Sequence, residues 1–161
     1  MHKSTVRSIA LTAGAIAALT ACADPISGDA QDDPPSPEQV AALFDTWNET
    51  LATGDPEAVA DLYAPDAVLL PTVSNTVRTD RAGIVDYFTG FLPSKPSAVI
   101  EQSVVNVLDA DNAIDTGVYR FTLSKPEATP ETVDARYTFV YEKRDDKWLI
   151  VNHHSSEMPE S

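Results

Sequence analysis

Arg120 and Arg136, with Asn152, His154, Tyr87 and Arg78, are the side chains in this sequence best suited to hold a small acidic or polar molecule. A guanidinium presents a fixed fork of donors that matches a carboxylate, and a phenol, an amide or an imidazole adds single directional hydrogen bonds. Arg120 and Arg136 lie on two strand-like runs joined by 124–132, so a hairpin centred near Ala128 sets them nearly opposite each other. Like charges in that position repel unless something negative lies between them. That leaves two occupants open: an anionic ligand, or an internal carboxylate such as Asp115, Asp134 or Glu101. A one-residue slip in register would turn Arg136 to the opposite face. Arg78, beside the Ser74-Asn75 turn, is placed either to close the mouth of a pocket or to stand solvated at a strand end.

His153-His154 with Glu157 raises the question of a metal. Adjacent strand residues point to opposite faces, so both imidazoles do not converge on one ion, and no metal site is expected. Strict alternation groups Trp148, Ile150, Asn152 and His154 on one face, with Leu149, Val151 and His153 on the other. Tyr119, Phe121, Tyr137, Phe139 and Tyr141 read as sheet-packing or subunit-contact residues. Neither a glycine-rich phosphate cradle nor a supported Ser/His/Asp order is present, and no cofactor is expected.

Cys22 is the chain's single cysteine, and it closes an export-type start: basic His2, Lys3 and Arg7, an apolar run from Ile9 to Leu19, then small residues. The run is too short to remain as a membrane-spanning helix. Two processing routes fit. Ala21-Cys22-Ala23 satisfies the small-x-small rule and would release a soluble chain starting at Asp24. Leu19-Thr20-Ala21-Cys22 resembles the bacterial lipobox, in which the cysteine is lipidated and becomes the first mature residue. The lipobox is the favoured route, because the only thiol stands at the one place that uses it. Residues 22–35, with four aspartates and three prolines, form an acidic linker with little to bury, expected to be disordered. The chain is acidic throughout, with a net charge of −14 that becomes more negative once Lys3 and Arg7 are removed, and this argues against nucleic acid as a partner.

Residues 36–161 suffice for one domain with a real core. Ser36-Pro37-Glu38-Gln39 supplies a capping serine, a first-turn proline and a glutamine three residues on. Val40, Leu43, Phe44, Trp47 and Leu51 then recur at helical spacing as far as Gly54. Asp55-Pro56 starts a shorter helix through Val59, Leu62 and Tyr63, and Ala67–Leu70 is a short strand. Thr79 or Asp80 caps a third helix that buries Ile84, Tyr87, Phe88 and Phe91. The period then changes from 3.6 to 2, and 99–108, 113–123, 133–143 and 148–154 read as an antiparallel meander. Three helices covering one face of a twisted sheet make the class α+β.

Those residues carry a family resemblance. Gly54-Asp55-Pro56-Glu57-Ala58 ahead of Leu62-Tyr63-Ala64-Pro65-Asp66-Ala67-Val68 resembles the opening of nuclear transport factor 2-like domains, cone-shaped folds with a pocket between helices and a curved sheet. Arg144-Asp145-Asp146-Lys147-Trp148-Leu149-Ile150-Val151, with His153-His154-Ser155-Ser156 and Pro159, is similar to the end of the calcium/calmodulin-dependent protein kinase II association domain. The resemblance implies a homo-oligomer, a dimer or larger, and a pocket in which Arg120 matches a family arginine. Where the family usually has a further histidine, this chain has Asn152. No kinase loops and no basic amphipathic helix are present, so neither kinase activity nor calmodulin binding follows.

Two functions compete on this scaffold. One is a non-catalytic, exported and lipid-anchored assembly module with a pocket for an acidic or polar ligand. The other is an isomerase or dehydratase with His154 or an acidic residue as general base and Tyr87 as donor. A lone carboxylate or histidine with a shifted pKa in an apolar pocket would favour the enzyme, whereas an arginine-lined pocket without a base would favour the binder.

Overall fold

The computed structural model describes residues 33–124 and 128–159. The expected export signal, Cys22 and the expected linker up to residue 32 lie outside the described residues. Helix α1 (Pro37–Ala52) opens on the capping box expected of its sequence: the Ser36 hydroxyl accepts from the Gln39 amide, and the Gln39 side chain accepts from the Ser36 amide. Val40, Phe44, Trp47 and Leu51 form its buried stripe. Gly54, at φ +72°, ends the turn that leads to α2 (Pro56–Ala60), capped by Asp55.

Helix α2 stops short of the reach that its sequence implies. Leu62 and Tyr63 leave the helix, and Tyr63 begins strand β1 (Tyr63–Leu70). Tertiary pairing outweighs local propensity here: the Leu62 carbonyl accepts from the Ile150 amide, and the Tyr63 hydroxyl is held between Trp47 and His153. Helix α3 (Arg81–Phe91) is capped by Asp80, whose carboxylate accepts from the Gly83 amide. Four long strands follow: β2 (Ser97–Val107), β3 (Asn112–Leu123), β4 (Glu131–Arg144) and β5 (Lys147–Glu157).

The five strands form one sheet in the order β1-β5-β4-β3-β2. β1 runs parallel to β5, and every other pair is antiparallel. All three helices cover the same face, where Trp47, Phe44, Phe88, Tyr119, Tyr137 and Phe139 fill the core. The opposite face is turned to solvent and is rich in β-branched residues, among them Val99 and Val104, which are 64% and 49% exposed.

Besides an irregularity between Tyr63 and Val68 where β1 meets β5, two register shifts shape the sheet. One lies in β2, where Ile100 pairs with Tyr119 but Gln102 pairs with Val118, leaving Glu101 as the extra residue. The other lies in β5, where Ile150 pairs with Tyr141 but Asn152 pairs with Val140, leaving Val151 unpaired. Past each bulge the inward and outward residues exchange parity.

Asp115 is the one buried carboxylate among the described residues, 1% exposed. It accepts from the Ser103 hydroxyl at 2.6 Å and from the Tyr137 hydroxyl at 3.1 Å. Burial raises its pKa above the ordinary range, against the pull of those two donors. The folded protein therefore holds this proton more tightly than the unfolded chain does, and the group's contribution to stability falls as pH rises through the raised pKa. Urea unfolding between about pH 4 and about pH 7 should show wild type gaining on Asp115→Asn as the solution is acidified. A stability gap independent of pH would mean that Asp115 titrates normally.

Candidate functional site

The bulge at Val151 decides which β5 side chains enter the cone. With Ile150 facing inward, unbroken alternation would bring Asn152 and His154 in as well; the extra residue instead turns His153 and Ser155 inward. His153 is 4% exposed and Ser155 5%, whereas His154 is exposed on the outer face. The two imidazoles do point to opposite sides, but the expected faces are exchanged. His154 and Asn152 are thus not cone residues.

The arginines are corrected in the same way. Arg120 stands directly opposite Asp134, not opposite Arg136, because the hairpin pairs Val118 with Arg136 and is centred one residue earlier than expected. Arg120 donates Nε to Asp134 at 2.6 Å and approaches Glu101 at 2.9 Å, so internal carboxylates are its partners, all on the outer face. These charges mutually favour their ionised forms: the Asp134 pKa is lowered and the Arg120 pKa raised, chiefly by the hydrogen bond they share. Arg136 shares a shallow outer depression with His154, Thr116 and Thr138, and it has no ion-pair partner among the described residues.

Of the six residues marked by the sequence, Tyr87 and Arg78 reach the cone. Tyr87, on α3, lines both the inner chamber and its mouth. Burial raises its phenol pKa well above the ordinary value. Arg78, paired through its backbone with Leu69, lies 5.7 Å above the Tyr87 ring and donates to the Ser74 hydroxyl at 3.1 Å. Asp86 lies 3.8 Å from its guanidinium.

Sequence reasoning missed the polar interior of the cone. The Trp47 indole donates to the Tyr63 hydroxyl at 3.1 Å, and that hydroxyl lies 2.9 Å from His153 Nδ1. The His153 ring stacks on Phe139 with centroids 4.0 Å apart and meets Trp47 edge-on. Burial, with a smaller contribution from the His154 charge, pulls its pKa down to about 3, so the imidazole is neutral. Its Nε2 is buried without a partner among the described residues. Nearby, the Tyr119 hydroxyl donates to Ser155 Oγ at 2.5 Å, and Ser155 also shares a hydrogen bond with Thr72. Residue types gave one usable signal: His153 is adjacent to a marked residue. Tyr63 and Trp47, 90 and 16 positions from their hydrogen-bonding partners, offered none.

Thr72, Ser155, Tyr119 and His153 line an otherwise apolar chamber completed by Leu69, Phe88, Phe121 and their neighbours. About 20 Å³ of it is open to the centre of a water molecule, room for one water or for the tip of a ligand. It continues past Tyr87, Phe91, Leu123 and Val133 into a vestibule of about 650 Å³ on the same measure. Among the described residues, the vestibule rim carries Asp86, Glu131 and Glu157 against one cation, Arg78. Chemically, the site can enclose an apolar body and offer directed hydrogen bonds at its deep end.

The family model described as calcium/calmodulin dependent protein kinase II association domain matches residues 36–159. A crystal structure from Xanthomonas campestris, described as a candidate domain of that kind, is 59% identical; it covers 81% of this chain and 96% of its own, with a TM-score of 0.76. Two more distant structures share the fold alone. One is a candidate dehydratase of the NTF2-like family from Streptomyces avermitilis, at 17% identity, 76% and 97% coverage and a TM-score of 0.69. The other is an NTF2-like protein with a cystatin-like fold from Novosphingobium aromaticivorans, at 15% identity, 77% and 82% coverage and a TM-score of 0.63. No curated protein matches this chain. With most of its length matched by the family model and a 59% identical structure beside it, the chain belongs to the calcium/calmodulin-dependent protein kinase II association domain family and has its nuclear transport factor 2-like α+β fold.

Proposed function

We propose that this protein is an exported, lipid-anchored assembly module that self-associates through the outer face of its sheet and binds a small polar molecule in the cone, without catalysing a reaction. The observation that carries this reading is the outer face itself. Val99 and Val104 are largely exposed, and Ile114, Val118 and Val140 are only half-buried in one copy of the chain. A broad sheet face of this composition gains by being covered, and a second copy presents the matching surface by symmetry. Membership of an association-domain family supports the same reading.

Native mass spectrometry of the mature protein should report a dimer or a larger closed assembly. Val104→Asp, a surface change on the outer face, should shift it to monomer while the fold persists, because the charge would be buried against the partner sheet. A wild-type protein that is strictly monomeric would sink the assembly reading. For the anchor, metabolic palmitate labelling should mark the wild-type chain and be lost in Cys22→Ala. Release of unlabelled protein beginning at Asp24 would show ordinary cleavage instead.

An isomerase or dehydratase is the second reading, and His153 favours it as a histidine of shifted pKa inside an apolar pocket. The direction of that shift weakens it. A base with a pKa near 3 is a poor proton acceptor at neutral pH, and Asp115 does not line the chamber. His154, as an exposed outer-face residue, cannot serve as base in the cone.

A further inference from the structure

We infer that the inner chamber receives the oxygen of a neutral, carbonyl-bearing molecule, which accepts the Nε2–H of His153 while an apolar chain runs out into the vestibule. This rests on the reading that the cone binds a small ligand, and it names the ligand's chemistry.

The first step is a count of protons. An indole N–H can only donate, so the Tyr63 oxygen is the acceptor from Trp47. The Tyr63 hydrogen is then free to point at His153 Nδ1, 2.9 Å away. An Nδ1–H donating to that oxygen would leave the Tyr63 hydrogen without an acceptor among the described residues, so we place the neutral ring's hydrogen on Nε2 and leave Nδ1 bare. That N–H meets no acceptor. Two buried side-chain polar atoms lack a partner among the described residues, Nε2 of His153 and the Tyr141 hydroxyl, and of these residues only His153 lines the chamber. Among the other polar groups on the wall, the hydroxyls of Tyr119, Ser155 and Thr72 engage one another, the Trp47 indole donates to Tyr63, and the Tyr87 phenol belongs to the outer end, where chamber and vestibule share it. A buried donor left unpaired is costly, so the chamber is built for one incoming acceptor atom.

Charge and size narrow the class. A carboxylate at that depth would be buried with no cation among the described residues of the chamber wall, behind a rim where, of those residues, Asp86, Glu131 and Glu157 outnumber Arg78. An alcohol would bring a hydrogen of its own to place, whereas the open Nε2–H asks for an acceptor alone. A carbonyl brings no hydrogen. Because the chamber admits only a ligand's tip, the carbonyl must lie at or next to the end of a slim chain, with its apolar body against Tyr87, Phe91, Leu123 and Val133.

Nitrogen-15 NMR of the labelled mature protein tests this, with 2-heptanone and heptanoate as probes. In the free protein, the His153 signals should show Nε2 protonated and Nδ1 bare. Adding 2-heptanone should move the Nε2–H resonance downfield in a saturable way, and heptanoate should bind about tenfold more weakly or worse, a difference of about 1.4 kcal/mol. His153→Phe should lower the ketone's affinity by a similar factor; if that variant does not fold, the wild-type titration decides alone. Ketone binding that leaves Nε2–H unmoved, tighter binding of heptanoate, or a hydrogen found on Nδ1 would overturn the inference while leaving a ligand pocket standing. Absence of any shift at Tyr87, Phe91 and Ser155 with either probe would count against the pocket itself.

Discussion

Gly117→Ala is expected to be among the most damaging small substitutions in this protein. A methyl group built on Gly117 would lie 1.8 Å from the Gln102 carbonyl oxygen and 2.7 Å from its carbon, both backbone atoms that no rotamer change can move aside. The clash lies next to the β2 bulge: Gln102, the residue after the extra Glu101, holds its carbonyl where a β-carbon on Gly117 would stand, and only a residue without a side chain fits there. Ser103, which pairs with Gly117, donates to Asp115 from the same stretch. Relieving the clash would lift β2 and break that bond, so the loss should reach the upper end of the roughly 1–3 kcal/mol typical of overpacking, or exceed it. Gly90 is the internal control. It sits in α3, where an added methyl group would meet nothing within 4 Å, and alanine there should stabilise by about 0.5–1 kcal/mol. Urea midpoints moving in opposite directions would bear this out; an unchanged midpoint for Gly117→Ala would mean that β2 does not pack as described.

Acid should weaken the fold through His153. In the folded chain the imidazole titrates at about 3, against an ordinary value of 6.5, because charging it would strand a cation between Phe139 and Trp47 with no carboxylate at hand. The unfolded chain takes up the proton first. Stability is therefore intact above the unfolded pKa and is lost as pH falls towards the folded one, by about 3 kcal/mol at pH 4. Asp115 acts in the opposite sense, so the informative quantity is the difference between wild type and His153→Phe. The variant starts at a disadvantage near neutrality, because the Tyr63 hydroxyl loses its acceptor, and should overtake wild type as the solution is acidified. Parallel stability curves would show that His153 is not held neutral.

Much of this architecture was legible in the residues. The capping box at Ser36, the 3.6-residue stripe from Val40 to Leu51 and the switch to β-branched alternation after Pro96 specify helix and strand by local rules, and those rules were obeyed. Arg120 found its charge among the carboxylates that the sequence put within reach. What failed was anything that depended on counting along a strand. A single unpaired residue at Val151 reverses every later inward or outward assignment, and no residue type in β5 marks it beforehand. Tyr63 failed for a related reason: its helical spacing was real, but two hydrogen bonds to distant partners were worth more.

The bulge at Val151 has a counterpart in the residues that follow it. His153-His154-Ser155-Ser156 is a doubled text: each residue type is written twice, once for either parity. Were Val151 drawn into regular pairing, His154 and Ser156 would turn inward in exchange for His153 and Ser155, so the cone would still receive one imidazole and one hydroxyl. The lining is in this sense proof against a frame error in the strand, and a β5 whose bulge is straightened with Val151 retained would be the form in which the two histidines trade places.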